Sequence, residues 1–200
     1  MDEENTVKQT IMARALELFA AKGYEGVSVS ELTEAAGITK PTLYYYFGSK
    51  EGVFEAVVQL HYDRLNELIA MSAAYYPKPR SYHEDIHKTM KEVTTAYFSF
   101  ALKNEAFFRI ALANLSMPRS SEVYKIVEKY HFVQFDVIEK MFRSMAKAHG
   151  NLKGKCKTLT WSFIGTINSY IGLYFSGLTR ELNEKNTKEL VHQFMHGIHA

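Results

Sequence analysis

The side chains best suited to bind another molecule lie close together in the stretch KPTLYYYFGSK. Lys40 and Lys50 carry positive charge, and Thr42, Tyr44 and Tyr45 carry hydroxyl groups that can donate hydrogen bonds. Groups of this kind contact nucleic-acid phosphates, and short polar side chains at a helix start can reach base edges. The stretch therefore predicts a nucleic-acid contact, and the alternative is a surface whose tyrosines face a partner protein.

Start and stop signals around this stretch predict three short helices that would position it. The first helix ends at Gly23. Ser28, with Glu31 three residues later, is a capping box that opens a second helix, and Gly37 ends that helix. Thr39 caps the third helix, which has a proline in its first turn. Two short helices joined by the residues GIT form a helix-turn-helix.

Helical spacing divides the third helix into an inner and an outer face. Leu43 and Phe47 share one face, while Pro41, Thr42 and Tyr45 project the opposite way. The predicted core of the helix-turn-helix consists of Phe19, Leu32, Ala36, Gly37, Leu43 and Phe47. The tyrosine cluster is therefore divided, and at least two tyrosines should be partly exposed.

The charge balance excludes binding through a uniformly basic surface. Residues 1–52 hold five basic and eight acidic side chains, and the whole chain has a formal net charge of +2. If the protein binds nucleic acid, it does so through a few well-placed contacts.

The stretch TIMARALELFAAKGYEGVSVSELTEAAGITKPTLYYYFGSKEGVFEAVV, residues 10–58, resembles the DNA-binding region of the TetR family of transcriptional regulators. The resemblance implies an all-helical homodimer whose C-terminal domain binds a small molecule. It implies base contacts from Lys40, Pro41 and Thr42, and phosphate contacts from Ser28, Tyr44, Tyr45 and Lys50. At position 30, where some relatives have an arginine or another base-reading residue, this chain has the short Ser30.

The rest of the chain predicts an all-α protein with about nine helices in total. Beyond a long fourth helix, further helices are expected over residues 82–103, 105–115, 120–148, 156–178 and 187–199. The expected domains are a DNA-binding domain, residues 1–52, and a ligand-binding and dimerisation domain, residues 53–200.

Residues 158–179 contain no charged side chain over 22 positions, which is long enough to span a bilayer. Many hydroxyl and amide side chains make this segment too polar for a helix that faces lipid. The small residues Gly165, Ser169, Gly172 and Ser176 form a narrow stripe against which another helix could pack closely. We therefore interpret the stripe as the dimer interface, with a membrane-anchored protein as the alternative.

The sequence HEDIH at residues 83–87 matches the zinc-peptidase pattern, with His83 and His87 as ligands and Glu84 as the base. The only plausible third ligand downstream is Glu105. Ser81 and Glu84 also form a capping box, which gives Glu84 a structural role. A zinc metallopeptidase-like enzyme is therefore the alternative function. A metal at the histidine row near the C-terminus is a further alternative.

The dense aromatic residues of the C-terminal half could enclose a pocket for an apolar or aromatic ligand. The sequence does not reveal which residues would line it. The single Cys156 and the polar N-terminus, which has no signal peptide, indicate a cytoplasmic protein. The expected function is a ligand-responsive regulator, most simply a repressor. As a homodimer it would bind a near-palindromic DNA operator, and a small effector would release it. Neither enzymatic activity nor a cofactor is expected.

Overall fold

The computed structural model describes residues 2–78, 81, 83–114, 117–179 and 181–197, which include helices and no strand. The α-helices are α1 (Asp2–Lys22), α2 (Val29–Ala36), α3 (Lys40–Phe47), α4 (Lys50–Ser72), α5 (Lys88–Lys103), α6 (Glu105–Asn114), α7 (Glu122–His131), α8 (Val133–Ala148), α9 (Cys156–Phe175) and α10 (Glu184–His196). A π-helical turn, His83–His87, precedes α5, and a 3-10 turn, Gly150–Leu152, precedes α9. The predicted all-α class is confirmed.

The chain separates into two compact units. The first comprises Met1–Asp63 and Glu105–Tyr130, and the second comprises Arg64–Asn104 and His131–Ala200. The first unit therefore holds α1 to α3, the first half of α4, α6 and nearly all of α7. The functional boundary predicted between residues 52 and 53 lies inside α4 and stays a prediction.

The core of the first unit begins on one face of α1. Every fourth residue of that face is fully or almost fully buried: Ile11, Ala15 and Phe19. The ring of Phe19 meets that of Phe54 on α4 edge to face, with 5.2 Å between centroids. Phe107 of α6 packs on Tyr62 of α4 at 4.9 Å in the same manner. Burying one such ring contributes roughly 1.5–3 kcal/mol, so these contacts fix α4 and α6 within the unit.

The core of the second unit contains a three-ring cluster. Phe163 of α9 lies 5.9 Å from Phe142 of α8 and 5.2 Å from Phe194 of α10, measured between ring centroids. Phe163 is completely buried and Phe142 nearly so. The cluster joins the three C-terminal helices of this unit through apolar contact.

The helix predicted over residues 120–148 is two helices, α7 and α8, with a break at Phe132. The N–H of Phe135 donates to the Phe132 carbonyl, three residues back, at 3.0 Å. The carbonyl of His131 instead accepts from the Gln134 side-chain amide at 2.9 Å. The Gln134 carbonyl oxygen accepts from the buried hydroxyl of Tyr97 at 2.7 Å. The break is therefore stabilised by a contact with α5 that helical periodicity cannot reveal.

A buried carboxylate joins three segments of the second unit. Asp85 Oδ2 accepts from the Tyr75 hydroxyl at 2.6 Å and from the Lys78 N–H at 3.0 Å, and it pairs with His149 Nε2 at 2.7 Å. Its other oxygen accepts from the Ile86 N–H at 2.6 Å. Burial raises the pKa of Asp85, but the hydrogen bonds from His149, Tyr75 and the two backbone amides outweigh it and lower that pKa to about 2.

Candidate nucleic-acid interface

The two helices of the helix-turn-helix begin and end at the predicted residues. The Ser28 and Glu31 side chains form a reciprocal capping box at the start of α2. Gly37 ends α2 with a φ of 64°, a left-handed conformation that favours glycine. The Thr39 side chain caps α3 and accepts from the Thr42 N–H. The predicted starts and stops of α2 and α3 are confirmed.

Helix α3 presents a polar outer face. Lys40 and Pro41 are exposed, as are Tyr44 and Tyr45, whose side chains are 48% and 75% accessible. The Tyr45 hydroxyl lies 3.5 Å from a Glu4 carboxylate oxygen, which is too long for a strong hydrogen bond. These groups remain accessible to a bound molecule.

Thr42 is half-buried, and its hydroxyl lies 2.9 Å from that of Thr39. Either hydroxyl can donate in this pair, so the other keeps a proton to donate outward. Sequence reasoning treated Thr39 only as a cap. The structure adds it as an exposed polar group beside the predicted base-reading residues.

Beneath this face, the predicted core residues differ in burial. Phe19, Leu32 and Leu43 are at most 2% accessible, whereas Ala36 and Phe47 are half-buried and Gly37 is exposed at its turn. The Lys8 ammonium lies 5.8 Å from the Phe47 ring centroid, within the range of a cation–π contact. Leu43 therefore anchors α3, and Phe47 lies at the edge of the core.

Lys50, at the first position of α4, contacts the segment between α1 and α2. Its half-buried ammonium donates to the carbonyls of Tyr24 and Val27 at 3.2 and 3.0 Å. It also lies 4.1 Å from the centroid of the Tyr24 ring. An ammonium has three protons, so one remains for an external anion. Lys50 thus ties α4 to the loop that precedes α2, a role that its sequence position does not reveal.

Glu51 covers the amino end of α4. Its carboxylate accepts from the Tyr24 hydroxyl at 2.7 Å. That bond, followed by bonds from the Glu51 amide and the Ser49 hydroxyl, lowers the pKa of Glu51. Burial and the same carboxylate raise the pKa of Tyr24. Sequence reasoning missed Tyr24 and Glu51 because their 27-residue separation leaves no local pattern.

Ser28 is engaged within the protein. Its amide and its hydroxyl both donate to one Glu31 oxygen, each at 2.8 Å. The other Glu31 oxygen pairs with the exposed Lys22 ammonium at 2.6 Å. The Lys22 bond, followed by the bonds from Ser28, lowers the pKa of Glu31 to about 2. A phosphate contact from Ser28 would require the capping box to open.

The small-residue stripe lies on an accessible side of α9. Gly165, Ser169 and Ser176 are exposed and Gly172 is half-buried. A Cβ atom added at Gly165 or Gly172 would have no atom from another part of the protomer within 4 Å. Trp161 and Leu173, also on α9, are 55% and 43% accessible. The stripe and its large apolar neighbours are free to meet another surface.

Glu84, the proposed base of the zinc-peptidase pattern, is bonded to other groups of the protein. Glu84 pairs with the Lys78 ammonium at 3.2 Å, and its N–H donates to the Ser81 hydroxyl at 3.3 Å. The side chain of His83 lies outside the described part. Within that part, no cluster of three histidine, cysteine or acidic side chains could hold a metal ion. None of the helices described there has the length and apolar character needed to cross a membrane.

Two capped short helices, a buried anchor on the second and its polar outer face define a helix-turn-helix protein of the transcription-regulator class. Residues 11–57 match the family described as bacterial regulatory proteins, tetR family. Residues 11–57 of the chain thus form a DNA-binding region of the TetR family type.

Curated relatives match part of the chain. The chain is 36% identical over 66 residues to the biofilm operon icaADBC HTH-type negative transcriptional regulator IcaR of Staphylococcus aureus. This alignment covers 33% of the chain and 36% of IcaR. The HTH-type transcriptional regulator YuxN of Bacillus subtilis is 30% identical over 122 residues, which is 61% of the chain and 40% of YuxN. The chain thus spans well under half the length of these relatives.

The whole fold is similar to solved structures. One is the transcriptional regulator FadR from Bacillus subtilis in complex with stearoyl-CoA, with a TM-score of 0.77. The match covers 96% of this chain and 99% of that one at 16% identity. At this identity the similarity establishes the fold alone.

Proposed function

We propose that this protein is a ligand-responsive transcriptional repressor that binds a near-palindromic operator as a homodimer and leaves it when a small effector binds. The observation that carries the proposal is the outer face of α3. There, accessible Lys40 and Tyr45 lie on a helix that the buried Leu43 fixes to its unit. A rigid short helix with an accessible polar face can enter a major groove.

We assign the contacts according to the reach and the engagement of each side chain. Lys40, Pro41 and Thr42 lie in the first turn of α3, from which a recognition helix reads base edges. Tyr44 and Tyr45 can donate to phosphate oxygens, and Lys50 can use its remaining proton for the same purpose. Ser28 fixes the start of α2, because Glu31 already accepts from both of its donors.

The homodimer would use the stripe on α9. Gly165, Ser169, Gly172 and Ser176 permit close approach of a second helix, and the exposed rings and side chains beside them supply apolar area. Two-fold symmetry would then place two copies of α3 in successive major grooves, roughly 34–36 Å apart.

The effector would bind in the second unit and have an apolar or aromatic body. Support comes from a groove of about 810 Å³ in that unit, a size typical of ligand sites. The structurally similar FadR was solved in complex with stearoyl-CoA, which makes fatty acyl compounds the first class to test.

The experiment that tests DNA binding is selection of preferred sequences from random duplex DNA, followed by fluorescence anisotropy. We expect a two-fold symmetric consensus. Lys40→Ala should relax discrimination at one base position and cost roughly 1–3 kcal/mol at the preferred base. Lys185→Ala, which removes an equal charge at an exposed position of α10, is the matched control and should leave base discrimination unchanged. A failure to enrich any sequence would refute the proposal.

A further inference from the structure

The groove in the second unit has a long wall formed by one face of α5. Its lining includes Leu68 of α4, Leu182 before α10, and positions of the α5 region from His87 to Leu102. A helical rise of 1.5 Å per residue makes that wall about 22 Å long. The groove can therefore hold an extended chain of roughly that length.

The polarity of this wall changes along α5. The lining residues at its amino end are charged: Lys88, Lys91 and Glu92. The lining residues nearer its carboxyl end are small or apolar, among them Ala96, Ser99 and Leu102. A ligand that matches the groove is therefore charged at one end and apolar along the rest.

A second groove of about 700 Å³ adjoins the charged end. It shares His87 and Lys91 with the first. Its other lining residues are Tyr170 and the polar or charged Lys188, Glu189, His192 and Gln193. Lys91 is half-buried and lies where the two grooves meet. A polar group larger than a single carboxylate therefore has space beside Lys91.

The ion pairs around the grooves distinguish Lys91 from the other lysines. Lys88 lies 3.8 Å from Glu92, and Lys188 lies 2.7 Å from Glu184. Within the described part of the chain, no carboxylate oxygen lies within 4 Å of the Lys91 ammonium. The hydrogen bond and charge of Lys188, and then the charge of Lys91, lower the pKa of Glu184. Glu184 is bonded to Lys188. Among the described residues the Lys91 ammonium forms no ion pair, so it can donate hydrogen bonds to an anion.

We propose that the joined grooves bind a long-chain acyl compound, with the chain along α5 toward Leu102 and the anionic head at Lys91. The inference rests on the proposed function, because it assigns the effector site of that regulator. The carboxylate of a free fatty acid and the phosphates of an acyl-CoA share this chemistry.

Calorimetry on the full-length protein tests the assignment with four probes: palmitate, palmitoyl-CoA, uncharged hexadecanol and coenzyme A alone. We expect palmitate or palmitoyl-CoA to bind, hexadecanol to bind at least tenfold more weakly, and coenzyme A alone not to bind measurably. The stronger of the two acyl ligands identifies the source of the anionic head. Binding of coenzyme A without a chain, or of hexadecanol as tightly as palmitate, would overturn the proposal.

Variants locate the head and the chain. Lys91→Gln should lower the affinity for the anionic ligand about tenfold and leave the affinity for hexadecanol unchanged. Lys91→Arg, which keeps the charge, should retain most of the affinity for the anionic ligand. Lys147→Gln, at an exposed position of α8 outside both grooves, is the charge-matched control and should have no effect. Ser99→Phe should weaken sixteen-carbon chains more than eight-carbon chains, because the ring would fill the apolar half of the groove.

The result separates failure of this inference from failure of the proposed function. A protein that binds its selected DNA but none of the acyl probes would refute only the effector site. A protein that binds palmitate through Lys91 but binds no DNA would refute the proposed regulatory function and still support the assigned ligand site. Equal losses in Lys91→Gln and Lys147→Gln would show that Lys91 makes no specific contact.

Discussion

The substitution Lys50→Met tests two roles of Lys50 separately: the bonds to the loop before α2 and the proposed contact with DNA phosphate. The substitution keeps an unbranched stem but removes the ammonium that donates to the Tyr24 and Val27 carbonyls. One hydrogen bond from a charged group contributes roughly 1.5–3 kcal/mol, and these two share a single half-buried ammonium. We therefore expect the free energy of unfolding in urea to fall by about 1–3 kcal/mol.

The same variant should weaken binding to every DNA sequence by a similar factor. Loss of one phosphate contact lowers the slope of log affinity against log salt by about 0.9. Lys40→Ala is the contrasting variant, because the exposed Lys40 side chain forms no hydrogen bond or ion pair within the described residues. It should leave stability unchanged. If Lys50→Met changes the salt slope but not the unfolding energy, the tie to the loop is energetically unimportant. If it changes stability alone, Lys50 does not contact phosphate.

Three other substitutions test the remaining assignments. Ser28→Ala removes a helix cap and should destabilise the protein by about 0.5–2 kcal/mol in urea, with no change in the salt slope of DNA binding. A Cβ atom added at Gly172 has no atom from another part of the protomer within 4 Å, so Gly172→Leu should weaken only the dimer, by roughly 1–3 kcal/mol or more. Ultracentrifugation would measure this loss, and unchanged dimerisation would place the interface elsewhere. The pKa of Asp85 falls from an ordinary 3.8 to about 2 on folding, so its carboxylate should add about 2 kcal/mol to the free energy of unfolding above pH 4. Acid unfolding should show this contribution disappearing as the pH falls toward 2. Asp85→Asn should lack that part of the pH dependence.

Local signals in the sequence predicted the helix-turn-helix well. Ser28 and Thr39 cap their helices by bonds to amides three residues away, and Gly37 ends α2 at a left-handed turn. Each of these features depends on neighbouring residues only. The pattern of apolar residues also predicted the all-α class, since a helix that buries one face repeats about every 3.6 residues.

What the sequence could not predict depends on contacts between distant residues. The break at Phe132 requires Gln134 to reach both His131 and Tyr97, and Tyr97 lies 37 residues earlier in the chain. The tie from Lys50 crosses 23 and 26 residues to backbone carbonyls, which have no side-chain signature. The grooves also could not be predicted from the sequence, because their linings combine residues from helices that are distant in the chain.

In the proposed switch, helix α4 is the element through which an effector would change DNA binding. It begins at Lys50, which fixes the loop before α2, and its second half supplies Leu68 and Ser72 to the groove of the second unit. A ligand shifts an equilibrium only by its difference in affinity for two states, so it must contact a part that differs between them. A chain lying against Leu68 would meet that requirement if α4 moved when the ligand bound. A coupling of about 1–3 kcal/mol, typical of allosteric proteins, would then lower operator affinity about 5- to 150-fold, and the operator would lower ligand affinity by the same factor. In the proposed switch, the hydrogen bonds of Lys50 would connect the helix that lines the groove to the segment before α2.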